Sequence, residues 1–266
     1  MSSHAGHPFH LVKPSPWPAL GSLAVLFLTM GAVDFFHDRS HHLLLLIGAG
    51  VVVVTAALWW RDVVLEAEIA QAHTHEVQHQ LRTGMALFIA SEVMFFVAFF
   101  WAFFTAAGGF DPSAPQWPPT NIHPMETWGI PALNTLILIS SGLVLNWGEQ
   151  GLRKGNRTAL VIGIAVAVLL GLTFLGMQLH EYGGATFGFK QGIYPSVFYM
   201  ATGFHGFHVL IGVCFLTVTL GRALKGNFTP VQHVGLQAAA WYWHFVDVVW
   251  IFLFVWVYWW GNSHGL

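Results

Sequence analysis

Seven stretches of this chain stay apolar long enough to cross a lipid bilayer, and that feature removes almost every water-soluble fold from consideration. A hydrocarbon core is spanned by about 20 helical residues rising 1.5 Å each. The stretches cover residues 17–35, 43–60, 83–107, 127–147, 159–179, 193–220 and 236–260. They are continuously apolar rather than alternating, so they read as helices and not as strands of a transmembrane barrel. Only 8% of the residues are charged, against 55% hydrophobic. Too little polar surface remains to cover so much apolar area, and lipid must be the solvent. The fold class is therefore all-α, an integral membrane protein with seven transmembrane helices.

The ten basic residues give the orientation. With the N-terminal side called inside, Lys13, Arg61, Arg82, Arg153, Lys154, Arg157, Arg222 and Lys225 fall on that side. Only Arg39 and Lys190 fall opposite. By the positive-inside rule the N-terminus is inside, and seven spans put the C-terminus outside. Losing or gaining one helix would scramble this sorting. Residues 1–16 read as an inner tail without the pattern of a signal peptide, and 261–266 as an outer tail. Residues 61–82 hold no Gly or Pro and read as helical extensions of the second and third spans. Residues 108–126 contain five Pro and read as an ordered irregular segment. The net charge of −2 gives no pointer to nucleic acid. The lone Cys214 lies in an apolar run, where a buried packing thiol is expected, and it excludes internal disulfide chemistry. Gly203, Gly206 and Gly212 mark the sixth span for close helix approach.

Ionisable groups deep inside a span are expensive and are functional candidates by default. Glu92 lies near the centre of the third span, with Phe95, Phe96 and Phe99 around it. His205 and His208 flank the midpoint of the sixth, and His244 and Asp247 lie near that of the seventh. Each pair is spaced i, i+3, on one side of its helix. Two readings stand. In one, three histidines and a carboxylate bind a heme or metal, or pass protons. In the other, the groups are neutral or paired and hydrogen-bond neighbouring helices. The second is favoured: His205 and His208 cannot both ligate one heme from one helix, and no ExxH motif completes a di-metal site. A proton wire needs groups spread in depth, whereas these form a midplane polar layer. His244 with Asp247 reads as a mutually satisfied pair. No metal site is expected and no catalytic residue is assigned. His4, His7 and His10 form a separate set, and His7 and His10 are candidate proton-collecting groups on the inner surface. Arg61, Arg222 and Lys225 stand where they can meet lipid phosphates.

Several strings then resemble one family closely. WWRDVVLEAE, ALFIASEVMFFVAFFWAFF, WPPTNIHP, LNTLILISSG, ATGFHGFHVLIG, AAAWYWHFVDVVW and the final YWWG look like signatures of cytochrome c oxidase subunit III. The resemblance runs from about Trp17 to Trp260. It implies a two-helix bundle over residues 17–60 and a five-helix bundle over residues 83–260, separated by a V-shaped cleft filled with phospholipid. It implies a non-catalytic accessory subunit of a proton-pumping, oxygen-reducing complex, lying directly against subunit I with subunit II in the same complex. The hemes and copper belong to those partner subunits, and this chain needs no cofactor beyond bound phospholipids. The role implied is support of proton uptake and turnover stability of subunit I, with access of oxygen along the cleft. The family's membrane-embedded functional acid corresponds to Glu92. Its lipid-binding positions correspond to Arg61, Glu66, His73, Arg222 and Lys225. High Ala, Gly and Val content leans toward a bacterial inner membrane rather than a mitochondrial one. The rival classes are a free-standing heme or metal membrane protein using His205, His208, His244 and Glu92, and a transporter. A transporter should show interrupted spans, which the sequence lacks.

Overall fold

The computed structural model describes residues 14–37, 42–69, 73–108 and 116–263. Within them lie seven long helices: α1 Trp17–Phe36, α2 His42–Glu68, α3 His75–Ala106, α4 Ile130–Arg153, α5 Arg157–Gly183, α6 Ile193–Lys225 and α7 Val234–Leu253. All seven are long and apolar enough to cross a membrane, counting the continuation of α7. That continuation is a π-helical segment, Phe254–Trp260, followed by a final turn, Gly261–Ser263. No strand occurs among the described residues. The expected helical extensions exist, since α2 runs on past Trp60 to Glu68 and α3 begins at His75. The fourth helix starts later than its apolar run because Pro131, which fits the first turn of a helix, sets the start at Ile130.

The chain forms two compact units, one through Leu81 and one from Arg82 on. In the first, α1 and α2 pack against each other through reciprocal glycines. A side chain at Gly31 would collide with the backbone at Leu44 and Leu45, and one at Gly48 with the backbone at Phe27 and Leu28. Lipid gives helices no hydrophobic reason to associate, so such close backbone contact supplies the attraction. Trp17 Nε1 donates to Asp62 Oδ2 at 2.7 Å and ties the start of α1 to the end of α2.

The second unit has the larger core, built on Trp243, Trp250, Tyr194, Tyr258, Phe174 and Phe198, all fully buried. The turn between α4 and α5 is set by Gly155, at φ 77°, and by Asn156, whose side chain accepts from Ala159 N at 3.0 Å. Helix α6 stops at Gly226, in the left-handed conformation at φ 83°. Arg157 then caps the exposed helix end, donating to Ala223 O at 3.1 Å and to Leu224 O. Helices α4 and α7 are joined by two indole bonds, Trp243 Nε1 to Ser141 Oγ and Trp250 Nε1 to Thr135 Oγ1, each 2.9 Å. Arg82 Nε donates to Gln237 Oε1 at 2.8 Å and fastens α3 to α7.

Two expectations are corrected. Cys214 is exposed rather than buried, because an apolar run bathed in lipid does not reveal which of its faces is packed. Of the three α6 glycines only Gly212 makes a close approach, where a Cβ would meet the Trp243 ring at 2.8 Å. Among the described residues nothing lies within 4 Å of that position at Gly203 or Gly206.

Candidate functional site

The mid-helix polar residues of the second unit do not form one cluster. They divide into three arrangements, each decided by which helices meet at that height.

Glu92 and His208 meet across α3 and α6, with Oε2 2.8 Å from Nε2. The other ring nitrogen, Nδ1, is 2.6 Å from Phe204 O one turn back. A carbonyl only accepts, so Nδ1 must carry hydrogen. One further proton then lies between Nε2 and Oε2. Whether it belongs to the acid or to the ring, the pair as a whole is neutral. Phe96 packs on the His208 ring with centroids 4.9 Å apart, and Phe95 and Phe99 both pack on Phe204, 5.1 Å away. The Glu92 side chain keeps 22% of its surface exposed and that of His208 10%. A compact polar pair is thus framed by rings and open on one side at the acid.

His205 sits a little less than one turn before His208 yet serves different neighbours. It is fully buried, and its Nε2 donates to Val246 O of α7 at 3.1 Å, the only role a carbonyl partner allows. Trp250 and Phe174 pack on the ring at 5.1 and 5.5 Å. Its role here is to fasten α6 to α7.

His244 and Asp247 are close but not bonded. Nδ1 and Oδ2 are 3.7 Å apart, beyond hydrogen-bond length, so the expected satisfied pair is only a near approach. Asp247 Oδ1 is buried and has no hydrogen-bond partner among the described residues. Gly142 of α4 faces both side chains, and a Cβ there would run into Asp247 Oδ2.

A fourth polar group escaped the sequence reading. Glu181 lies past residue 179, where the fifth apolar run stops, but α5 continues to Gly183 and buries it to 4% exposure. Tyr258 Oη donates to Glu181 Oε2 at 3.2 Å and accepts from Gln178 Nε2 at 3.3 Å. Tyr182 Oη donates to Thr202 Oγ1 at 2.7 Å nearby. The signal available in sequence was the i, i+3 spacing of Gln178 and Glu181 beside Tyr182.

The lipid candidates lie on separate elements. Arg61 is exposed on α2, Glu66 is half-buried on the same helix, and His73 precedes α3. In the second unit Lys225 is exposed in the last turn of α6, and the Arg222 guanidinium lies 4.7 Å over the Phe228 ring. His7 and His10 lie outside the described residues. Among the described residues no three His, Cys, Asp or Glu side chains converge as metal ligands would.

The family model for cytochrome c oxidase subunit III matches residues 7–262. Cytochrome c oxidase subunit 3 of the lancelet Branchiostoma lanceolatum is 48% identical over 268 residues, covering 98% of this chain and all of the relative. The proteins of the same name from Dugong dugon and Struthio camelus are 48% and 45% identical over 261 residues, with the same coverage. A match of this extent and identity leaves one assignment: the chain belongs to the cytochrome c oxidase subunit III family, as an accessory membrane subunit of that oxidoreductase complex.

Proposed function

We propose that this chain lies directly against the heme- and copper-bearing subunit I, with subunit II in the same complex, and sustains proton uptake and structural integrity of subunit I during turnover. Its place is a bacterial inner membrane, with the N-terminus on the cytoplasmic side. The Glu92–His208 pair is the observation that carries this reading. A histidine whose two nitrogens face Phe204 O and Glu92 is not free to ligate a heme. Two of the residues that a free-standing heme protein would use, Glu92 and His208, are thereby engaged with each other between helices. A neutral pair can also keep a carboxyl group at mid-membrane without the cost of an isolated charge.

Phospholipid binding is proposed at the inner interface. In the second unit Arg222 and Lys225 offer cationic donors to a phosphate group, and Arg61 and His73 play the corresponding part in the first, with Glu66 accepting from the amine of a head group. Oxygen access through such bound lipid belongs to the same reading, as does proton collection by His7 and His10. The test is a tagged purification in mild detergent, with optical spectra of the complex and of the separated chain. The expected result is a heme-containing, oxygen-reducing complex and a colourless separated chain. Heme or stoichiometric metal on the separated chain would overturn the accessory reading in favour of ligation by the mid-helix histidines.

A further inference from the structure

The end of the chain is held by polar side chains buried between α5, α6 and the π-helical segment. Gln178 and Glu181 of α5 are 3% and 4% exposed, and Tyr258 of the π-helical segment is 1% exposed. Their hydrogens can be counted. Gln178 Nε2 donates to Tyr258 Oη, and that hydroxyl gives its one hydrogen to Glu181 Oε2. The other hydroxyls nearby are committed elsewhere. Tyr182 donates to Thr202 Oγ1, Thr202 to Phe198 O and Tyr199 to Phe187 O. Two oxygens are left over, Gln178 Oε1 and Glu181 Oε1, both buried and without a donor among the described residues. An ionised carboxylate only accepts, so it relieves neither of them. A protonated one carries the missing hydrogen. Glu181 Oε1 then donates, and Gln178 Oε1, one turn back on the same face of α5, is an acceptor without a donor.

Charge argues the same way. The titratable groups that face Glu181 are Tyr182 of its own helix, Tyr199 of α6 and Tyr258 of the π-helical segment. None of them brings positive charge, and the chain neighbour His180 is exposed. Glu181 also lies in the last turn of α5, which ends at Gly183. Helix-end carbonyls carry partial negative charge, so a second negative charge beside them is disfavoured. A buried carboxyl without a cation neutralises by keeping its proton.

The acid also meets an unusual piece of backbone. Long π-helical turns are rare and occur mostly at functional sites. Here the segment Phe254–Trp260 carries a single hydroxyl, and it is the one on Glu181. The same residue is fastened through its backbone, since Tyr258 O accepts from Thr127 Oγ1 at 2.8 Å.

We propose that Glu181 is a buried proton-holding site, a neutral carboxylic acid whose hydrogen completes the Gln178–Tyr258 network and clasps the π-helical end of the chain to α5. Loss of that proton opens the clasp, which makes this end of the subunit sensitive to pH.

The test uses the assembled complex. The infrared difference spectrum of wild type minus Glu181→Gln at neutral pH is expected to hold the carbonyl band of a carboxylic acid and no carboxylate bands. Carboxylate bands alone would overturn the proposal and point to an ordered water as the donor to the two oxygens. Gln matches the neutral acid in shape and charge, so the variant should assemble, and its failure to assemble would count against a neutral Glu181. The second readout is hydrogen exchange of the Phe254–Trp260 amides in both proteins between about pH 5 and about pH 8. An opened segment releases the proton in the ordinary carboxyl range while the closed one keeps it, so closing takes up a proton. Opening therefore becomes easier as pH rises. The ratio of wild-type to variant exchange rates should climb, by up to about tenfold per pH unit, until the closed segment also gives up its proton. The base catalysis of exchange is common to both proteins and cancels in the ratio. A ratio that stays flat would overturn the clasp.

Discussion

Glu92→Gln and Glu92→Ala should behave differently in the assembled complex, and the gap measures the proton shared with His208. With Nδ1 committed to Phe204 O, Nε2 and the acid share one hydrogen. The amide of the Glu92→Gln variant can supply one in its place, so most of the contact survives. The Glu92→Ala variant supplies none and leaves a ring nitrogen unpaired in a side chain that is 10% exposed. Hydrogen bonds between membrane helices are worth roughly 0.6 kcal/mol on average and up to about 1.7. An unpaired buried polar group adds to that loss, with about 1–3 kcal/mol as the full range for well-buried groups. Opening on the Glu92 side softens the penalty, because 22% of that side chain is already exposed. We therefore expect a loss of about 1–2 kcal/mol for Glu92→Ala and less than about 0.5 kcal/mol for Glu92→Gln.

The assay is an SDS titration of the purified complex in mixed micelles, following release of the subunit, on Glu92→Ala, His208→Ala and the double variant. The cycle should return a coupling of about 1 kcal/mol. A coupling of zero would show that the two side chains do not share a hydrogen bond. Equal damage from Gln and Ala would refute the shared hydrogen bond even if the coupling remained, since an amide can either donate to Nε2 or accept from it.

Three further outcomes follow from the packing. Gly48→Leu should unfold the α1–α2 pair through collision with the Leu28 backbone, whereas Gly50→Ala, with nothing within 4 Å, should be neutral or gain up to about 1 kcal/mol of helix propensity; protease accessibility of the first unit separates the two. Replacing Arg222 and Lys225 together by Ala should release phospholipid from the purified complex, and unchanged lipid mass would count against a head-group site there. Tyr258→Phe should cost about 1–3 kcal/mol by removing the hydroxyl that joins Gln178 to Glu181; an unshifted thermal midpoint of the subunit would mean that this bridge carries no stability.

What the sequence makes legible here follows from what lipid selects. Span number and basic-residue sorting are properties of whole segments, so the seven helices could be read directly, as could the extensions on α2 and α3. Which side of a helix is packed is harder to see, because a membrane helix is apolar all round. Cys214 and Gly203 fail for that reason: the run that holds them is equally apolar on its lipid side and its protein side. Depth alone likewise placed Glu92, His205, His208, His244 and Asp247 in one layer without saying who meets whom. Pairing depends on the angle at which each helix is turned. His205 and His208 are 60° apart on α6, by the 100° step of a helix, and that angle sends one to α7 and the other to α3. Glu181 was hidden by a different effect. A span is recognised by its hydrocarbon, so a helix that carries a polar turn into protein rather than water appears to end too soon.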